Sequence, residues 1–330
     1  MRIKISLMNS FAFLKFPVNL GRSKGLLARL FRKKAPFKVT LIENIRSAQG
    51  KTIKLSLLTV QPCLDEQADD FLFNKVIASA QLAQESGARM LGVERCALDL
   101  EDKIFTINKK ISLPLSDGNL FTAWSAYEAV YRAAKTRGID LKRLNLVILG
   151  AAASLGKICA KKFSGTVSSI IICDTNQEEL QKLKTEIFAL NPCMVTIEAH
   201  VNQAVKDADV VVVVKEEQGV FLDLEELKAN CIICDISVSK NTLKQQNSRA
   251  DLVMINAGLV KMPYAVDVLS EPGLPAGVIS ASLAQAMLLT FEDKFSSAFG
   301  DTPNLDKVEE IADIAVRHGF EVWVPEAPVI

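Results

Sequence analysis

The sequence has almost no histidine: His200 and His318 stand alone among 330 residues. That scarcity excludes a histidine-rich metal site and leaves a Ser-His-Asp relay with little to build on. His318-Gly319 reads as a helix end instead. An excess of one charge is missing too. Lys and Arg number 39 against 38 Asp and Glu, a net charge of +1, so no global field calls for nucleic acid or an acidic partner. No stretch approaches the roughly 18 apolar residues of a membrane span; Ile170–Ile172 and Val210–Val214 are only strand-length. The seven cysteines are odd in number and do not gather in a small disulfide-rich segment, which points to reduced thiols in a cytoplasmic protein. Cys231-Ile-Ile-Cys234 has a metal-like spacing, but it falls inside an apolar run with no second pair. It reads as a buried strand, Cys159 and Cys173 read as small buried hydrophobes, and no metal site is expected.

What is present is a soluble globular balance, 49% hydrophobic and 23% charged, in a chain long enough for two cores. One segment departs from the even charge. Arg22, Lys24, Arg29, Arg32, Lys33, Lys34 and Lys38 occur without an acid among residues 21–42, and Leu26, Leu27, Leu30 and Phe31 share a helical face. Two readings stand for residues 22–38: peripheral contact with an anionic membrane or acidic protein, and a surface helix whose cations are solvated. Residues 11–17, before it, carry no signal-peptide cleavage pattern.

Along the first half, residues 38–53 and 54–60 are strand-like around a turn at Gln49-Gly50. Residues 66–86 have helical spacing up to Gly87, and Arg89–Val93 follows as a strand, giving a βαβ unit. A connector from Leu113 to Asn119 leads into a long helix, Phe121 to Arg137, stopped by Gly138. Beyond it, strands at 144–149, 169–173, 194–199, 209–214, 231–236 and 252–256 alternate with helical stretches at 157–163 and 177–190. Continuously apolar strands alternating with helices predict an α/β fold: a doubly wound parallel sheet of Rossmann type, strand order 3-2-1-4-5-6. Residues 275–292 and 305–318 read as helices without a strand of their own. The expected division is an α/β substrate domain over 1–138, a dinucleotide-binding domain over 139–274, and C-terminal helices over 275–330, with the helix at 275–293 packing back on the first domain.

The chemistry is concentrated where the first strand of the second domain ends. Gly150-Ala-Ala-Ala-Ser-Leu-Gly156 supplies small residues between strand and helix, where a pyrophosphate sits against backbone N–H groups. Gly150, Ala153, Ser154, Leu155 and Gly156 are therefore candidate cofactor residues, although alanine stands where a middle glycine would allow the closest approach. Asp174 ends the next strand, where a carboxylate accepts from the adenosine ribose 2′-OH and repels a 2′-phosphate. NAD is favoured over NADP on this ground; the competing reading makes Asp174 a helix cap. At the hinge between domains, Asn119 and Thr122 are candidates to orient the nicotinamide amide or a substrate oxygen, against a plain helix entry.

Taken in order, Gly50-Lys-Thr-Ile53, Leu91-Gly92, Gly118-Asn119 with Thr122-Ala123, Gly150 to Gly156, Asn256-Ala-Gly-Leu-Val260, Ala284-Gln-Ala-Met-Leu-Leu289, Phe291-Glu292 and Arg317-His-Gly-Phe320 resemble the long-chain acyl-[acyl-carrier-protein] reductases and their shikimate- and amino-acid-dehydrogenase-like relatives. The resemblance covers nearly the whole chain. It implies a nicotinamide-dependent oxidoreductase acting on an acyl or small carbonyl substrate, free or on acyl carrier protein. It also marks departures. Ser282 stands at the position matching the family's acyl-accepting cysteine, Ala153 at its middle loop glycine, and Asp174-Thr175 at its basic residue after the second strand. Phe16 stands where many relatives have histidine, and Val93-Glu-Arg-Cys96 replaces a small, hydroxyl-rich segment.

A serine is a poor nucleophile without a base, so the resemblance implies direct hydride transfer, with Ser282 lining the substrate pocket as a hydrogen-bond donor. Two other readings remain: a non-catalytic member kept as a binding or regulatory module, and a thioester reductase using Ser282 or Cys96 as acyl acceptor.

Overall fold

The computed structural model describes residues 9–16, 37–60, 68–94, 100, 103–215, 222–237, 240, 242, 249–296 and 304–324. The basic segment lies outside them except for Lys38, as does Cys96. Among the described residues no helix is long and apolar enough to cross a membrane.

The first sheet has the order β2-β3-β1-β4-β5. The strands are β1 (Asn9–Lys15), β2 (Phe37–Arg46), β3 (Thr52–Val60), β4 (Leu91–Val93) and β5 (Leu115–Ser116). The expected hairpin is β2 and β3, antiparallel around Gly50 at φ +76°; the remaining neighbours are parallel. Helix α1 (Ala68–Glu85) joins β3 to β4, but β1 lies between those two strands, so the βαβ unit steps over an inserted neighbour. Successive β1 side chains feed opposite faces. Ala12 and Leu14 pack with Val76, Ala80 and Ala83 of α1, while Phe11 and Phe13 pack with residues from the far end of the chain. The short helix α2 (Ile104–Lys110) follows β4.

The second sheet is wholly parallel, in the order β11-β10-β9-β6-β7-β8. Its strands are β6 (Asn145–Leu149), β7 (Ser169–Cys173), β8 (Met194–Glu198), β9 (Val210–Val213), β10 (Ile232–Asp235) and β11 (Val253–Asn256). This is the expected 3-2-1-4-5-6 order seen from its other edge: a Rossmann sheet. Helices α4 (Ser154–Ser164), α5 (Gln177–Leu190) and α6 (Val201–Val205) connect its strands. The order reverses between β6 and β9, which creates a crevice at their C-terminal ends, where ligands of such sheets bind.

Helix α3 (Asn119–Thr136) bridges the two sheets. It begins two residues after β5 and ends eight residues before β6, so it runs antiparallel to the strands of the second sheet. Cys234 near the end of β10 accordingly meets the Ala126 carbonyl in the first half of the helix, 3.9 Å from Sγ to oxygen. The buried Ala123, Ala126, Ala129 and Ala134 let the helix lie close. Its first turn stands where the C-terminal edges of both sheets meet.

The C-terminal expectation needs correction. Residues 275–292 are not one helix: β13 (Val278–Ser280) precedes α7 (Ala281–Phe291), and β13 pairs with β12 (Leu259–Lys261), which pairs with β14 (Glu321–Val322) in a third, antiparallel sheet. Strands of two or three residues are too short to show alternation. Ser280 is the break, its hydroxyl accepting from the Leu283 N–H to cap α7. Leu283, Met287 and Leu288 of α7 pack with Phe11, Phe13, Ile53 and Leu55 of the first sheet. Helix α8 (Leu305–His318) is capped by Asn304 and closed by Gly319 at φ +77°.

Candidate functional site

Gly150 leaves β6 at φ +81°, a conformation that side chains rarely adopt, and a Cβ there would lie 2.7 Å from the Lys215 Cβ just after β9. A glycine is thus required for the chain to turn at the crevice. Helix α4 starts at Ser154, three residues earlier than its periodicity suggests, so Gly156 falls in its first turn. A Cβ on Gly156 would sit 2.2 Å from the Gly150 carbonyl oxygen; the missing side chain brings helix and strand together. Ala153 occupies the N-cap at φ −66° and ψ 151°, which alanine adopts without strain. The Leu155 side chain is buried in the core, so it offers a ligand only its backbone. The first N–H groups of α4 have no partner within the helix and carry the positive end of its dipole.

Asp174 stands just past β7, beside this turn. Its Oδ2 accepts from the Ala152 N–H at 3.1 Å and its Oδ1 from the Asn176 N–H at 3.1 Å. The cap of α5 is Asn176, accepting from the Glu179 N–H, so the alternative of Asp174 as that cap is set aside. One turn into α4, Lys157 bonds Glu179. Lys157 and then Lys182 hold the Glu179 carboxyl down to about 2.

A second polar group lies at the start of α3. Gly118, at φ +74°, packs on Ser282 so closely that a Cβ would lie 2.2 Å from the serine Cα. The chain thereby brings together Asn119 and Ser282, residues 163 apart in sequence. Asp117, which the sequence reading missed, accepts from the Asn119 N–H at 3.0 Å through Oδ1 and from Asn119 Nδ2 at 2.9 Å through Oδ2. Gln285, also missed, accepts from the Phe121 N–H at 2.9 Å and donates to Ser116 at 3.0 Å. It replaces the side-chain cap that Gly118 cannot supply. The Thr122 hydroxyl is fully buried and has no partner among the described residues. Ser282 is buried, its hydroxyl 3.2 Å from that of Ser280.

Three further acceptors stand at strand ends. Asp235 ends β10 and is fully buried; its Oδ1 accepts from the Ser237 N–H at 2.8 Å, while its Oδ2 is unpartnered among the described residues. Its register partner Asn256 has a buried, unpartnered Oδ1. Lys240 donates to the carbonyls of Asp235 and Ala257, tying the two strand ends together. Just past β4 of the first sheet, Glu94 accepts from the Phe16 N–H at 2.6 Å. The only sequence signal for these carboxylates was their place at the ends of apolar runs. Among the described residues no group of three or more metal-ligating side chains forms.

No family model matches the chain. It is 30% identical over 213 residues to the long-chain acyl-[acyl-carrier-protein] reductase of Synechococcus elongatus, covering 62% of this chain and 60% of that protein. It is 20% identical over 287 residues to the aminotransferase PigE of Serratia, covering 84% of this chain and 33% of PigE. The chain thus spans less than two thirds of the length of these curated relatives. Among solved structures, the chain aligns with a quinate dehydrogenase from Corynebacterium glutamicum in complex with NAD, 12% identical at a TM-score of 0.37, covering 92% of this chain and 98% of that one. Another is a shikimate 5-dehydrogenase from Listeria monocytogenes in complex with shikimate and NAD, 11% identical at a TM-score of 0.34, covering 94% and 99%. By its own sheet order the chain is a Rossmann-type α/β protein, and its sequence is weakly similar to a long-chain acyl-[acyl-carrier-protein] reductase.

Proposed function

We propose that this chain is a nicotinamide-dependent oxidoreductase that transfers hydride directly to or from an acyl or small carbonyl substrate. The observation that carries the reading is the turn at the β6–β9 crevice. Gly150 and Gly156 each occupy a position that a Cβ would obstruct, at the N-terminus of α4 and beside Asp174. That cradle suits a pyrophosphate, and Asp174 suits the ribose hydroxyls of NAD better than the phosphate of NADP. Gly150, Ala153, Ser154, Leu155 and Gly156 would hold the dinucleotide through backbone groups, and the nicotinamide ring, once bound, supplies or accepts the hydride. Asn119 and Thr122 orient the reacting end, and Ser282 donates a hydrogen bond to the substrate oxygen.

Ser282 does not serve as an acyl-accepting nucleophile in this reading. Its neighbour is another hydroxyl, which cannot take its proton at neutral pH. His318 is committed to Glu292 at 2.7 Å. In functional terms, residues 1–138 with the helix of the 275–293 segment form the substrate side and 139–274 the dinucleotide side. The substrate arrives free or on an acyl carrier protein, the cation-rich segment 22–38 makes peripheral contact with a membrane surface, and the protein acts in the cytoplasm.

A second reading has one observation in its favour. The Ala152–Asp174 hydrogen bond engages part of the carboxylate that would read the ribose, as a retained but non-catalytic scaffold would. Calorimetric titration with NADH and NADPH, on the wild type and Asp174→Ala, separates the two. Micromolar NADH binding that weakens roughly tenfold on substitution, the worth of a charge-assisted hydrogen bond, supports the oxidoreductase. Binding of neither nucleotide refutes it.

A further inference from the structure

Asp117 and Asn119 are both more than nine-tenths buried, at 7% and 6% exposure, and they form a pair with one fixed sense. A carboxylate only accepts hydrogen bonds, so the amide nitrogen of Asn119 has to face Asp117. The backbone N–H of Asn119 bonds the same carboxylate, so both ends of Asp117 are engaged. With its nitrogen held by Asp117, Asn119 turns its carbonyl oxygen away from that carboxylate. One turn on, the fully buried Thr122 hydroxyl is also unpartnered. Its backbone N–H bonds the Gly118 carbonyl, the acceptor to which a helical threonine hydroxyl often turns back. A buried hydroxyl left unmatched one turn from an amide of fixed sense suits a ligand that brings its own hydrogen-bonding groups.

The fold says which part of a dinucleotide comes there. Helix α3 starts at the C-terminal edge of the second sheet and lies on β10, on the far side of the switch point from β7 and Asp174. With the adenosine end at β7, the opposite half of the crevice receives the nicotinamide. We infer that Asp117 locks the amide of Asn119 so that its Oδ1 accepts a hydrogen bond from the carboxamide N–H of the nicotinamide ring, making Asp117 a positioning residue and Asn119 the reader of that group. This inference rests on the dinucleotide reading above and assigns the ring amide, not a substrate oxygen, to Asn119.

The test needs no substrate. In 3-acetylpyridine adenine dinucleotide the carboxamide NH2 is replaced by a methyl group while the ring carbonyl remains, so only the donor is lost. Calorimetric titration of the full chain with NAD+ and with this analogue should show NAD+ binding about tenfold tighter, because the analogue leaves Asn119 Oδ1 buried and unpaired. The preference should fall to near unity in Asn119→Ala and drop markedly in Asp117→Asn, where the amide can turn either way. A merely structural role would weaken both ligands alike and leave their ratio intact. Equal affinity of the wild type for the two ligands overturns the inference and leaves the dinucleotide reading standing; binding of neither overturns both. Should Asp117→Asn fail to fold, as a thermal melt would reveal, the ratio in Asn119→Ala decides alone.

Discussion

Gly118 and Gly50 offer a matched pair for testing how tightly the C-terminal segment is seated. Both have positive φ, +74° and +76°, but a Cβ on Gly50 meets nothing within 4 Å, whereas one on Gly118 meets Ser282 at 2.2 Å from Cα and 2.4 Å from Cβ. Alanine at either site carries the left-handed penalty of about 1–2 kcal/mol. At Gly118 the contact is also more than an ångström short of the 3.4 Å at which ordinary contact begins, and the obstacle is backbone. Relieving it means displacing the start of α7 from α3, an overpacking cost of about 1–3 kcal/mol. Gly50→Ala should therefore lose about 1–2 kcal/mol and Gly118→Ala about 2–5 kcal/mol. Urea unfolding followed by circular dichroism and tryptophan emission, with Trp124 reporting on α3, measures both. Equal losses would refute the close packing of Gly118 on Ser282, and with it the geometry of the cleft.

Glu292 accepts from Lys51 at 2.7 Å and pairs with His318 at 2.7 Å, and these partners, Lys51 foremost, lower its pKa from 4.5 to about 2. A depressed acid stabilises the fold above its unfolded pKa, and that stabilisation fades as pH falls from 4.5 towards 2. Glu292→Gln should cost about 1.5–3 kcal/mol at neutral pH, with the difference from wild type shrinking through that acid window in urea titrations. Gln285→Leu strands the Phe121 N–H and the Ser116 hydroxyl and should cost about 1–3 kcal/mol; an unchanged unfolding midpoint would deny the cross-chain cap its role.

The second sheet was legible because its strands are continuous apolar runs bounded by Gly150, Asp174 and Asn256, and a parallel sheet buried on both faces demands that pattern. The same rule hid β1. Phe11-Ala-Phe-Leu-Lys-Phe invited a question about targeting, yet it is a strand inserted between β3 and β4, buried on both faces. The glycine turn and Asp174 were legible because their spacing is local. Asp117 and Gln285 were not. Asp117-Gly-Asn119 looks like any turn, and nothing in Gln285 announces a partner 164 residues away. Helix boundaries moved for a similar reason: Asn119 enters α3 two residues early because its first turn is satisfied by Asp117 and by the distant Gln285 together.

The seating of α7 on the first sheet also sets a timetable for synthesis. The Phe11, Phe13, Ile53 and Leu55 face is made early, but its cover of Leu283, Met287 and Leu288 leaves the ribosome only after the whole second sheet has been translated. At about 5–20 residues per second, the stretch of chain from Leu55 to Leu283 takes on the order of 10–50 s. During that interval the second sheet has all its strands and can close first, while the earlier-made face waits with its phenylalanines uncovered. The nascent chain therefore carries that face uncovered for longer than a protein of this size folded in strict sequence order would.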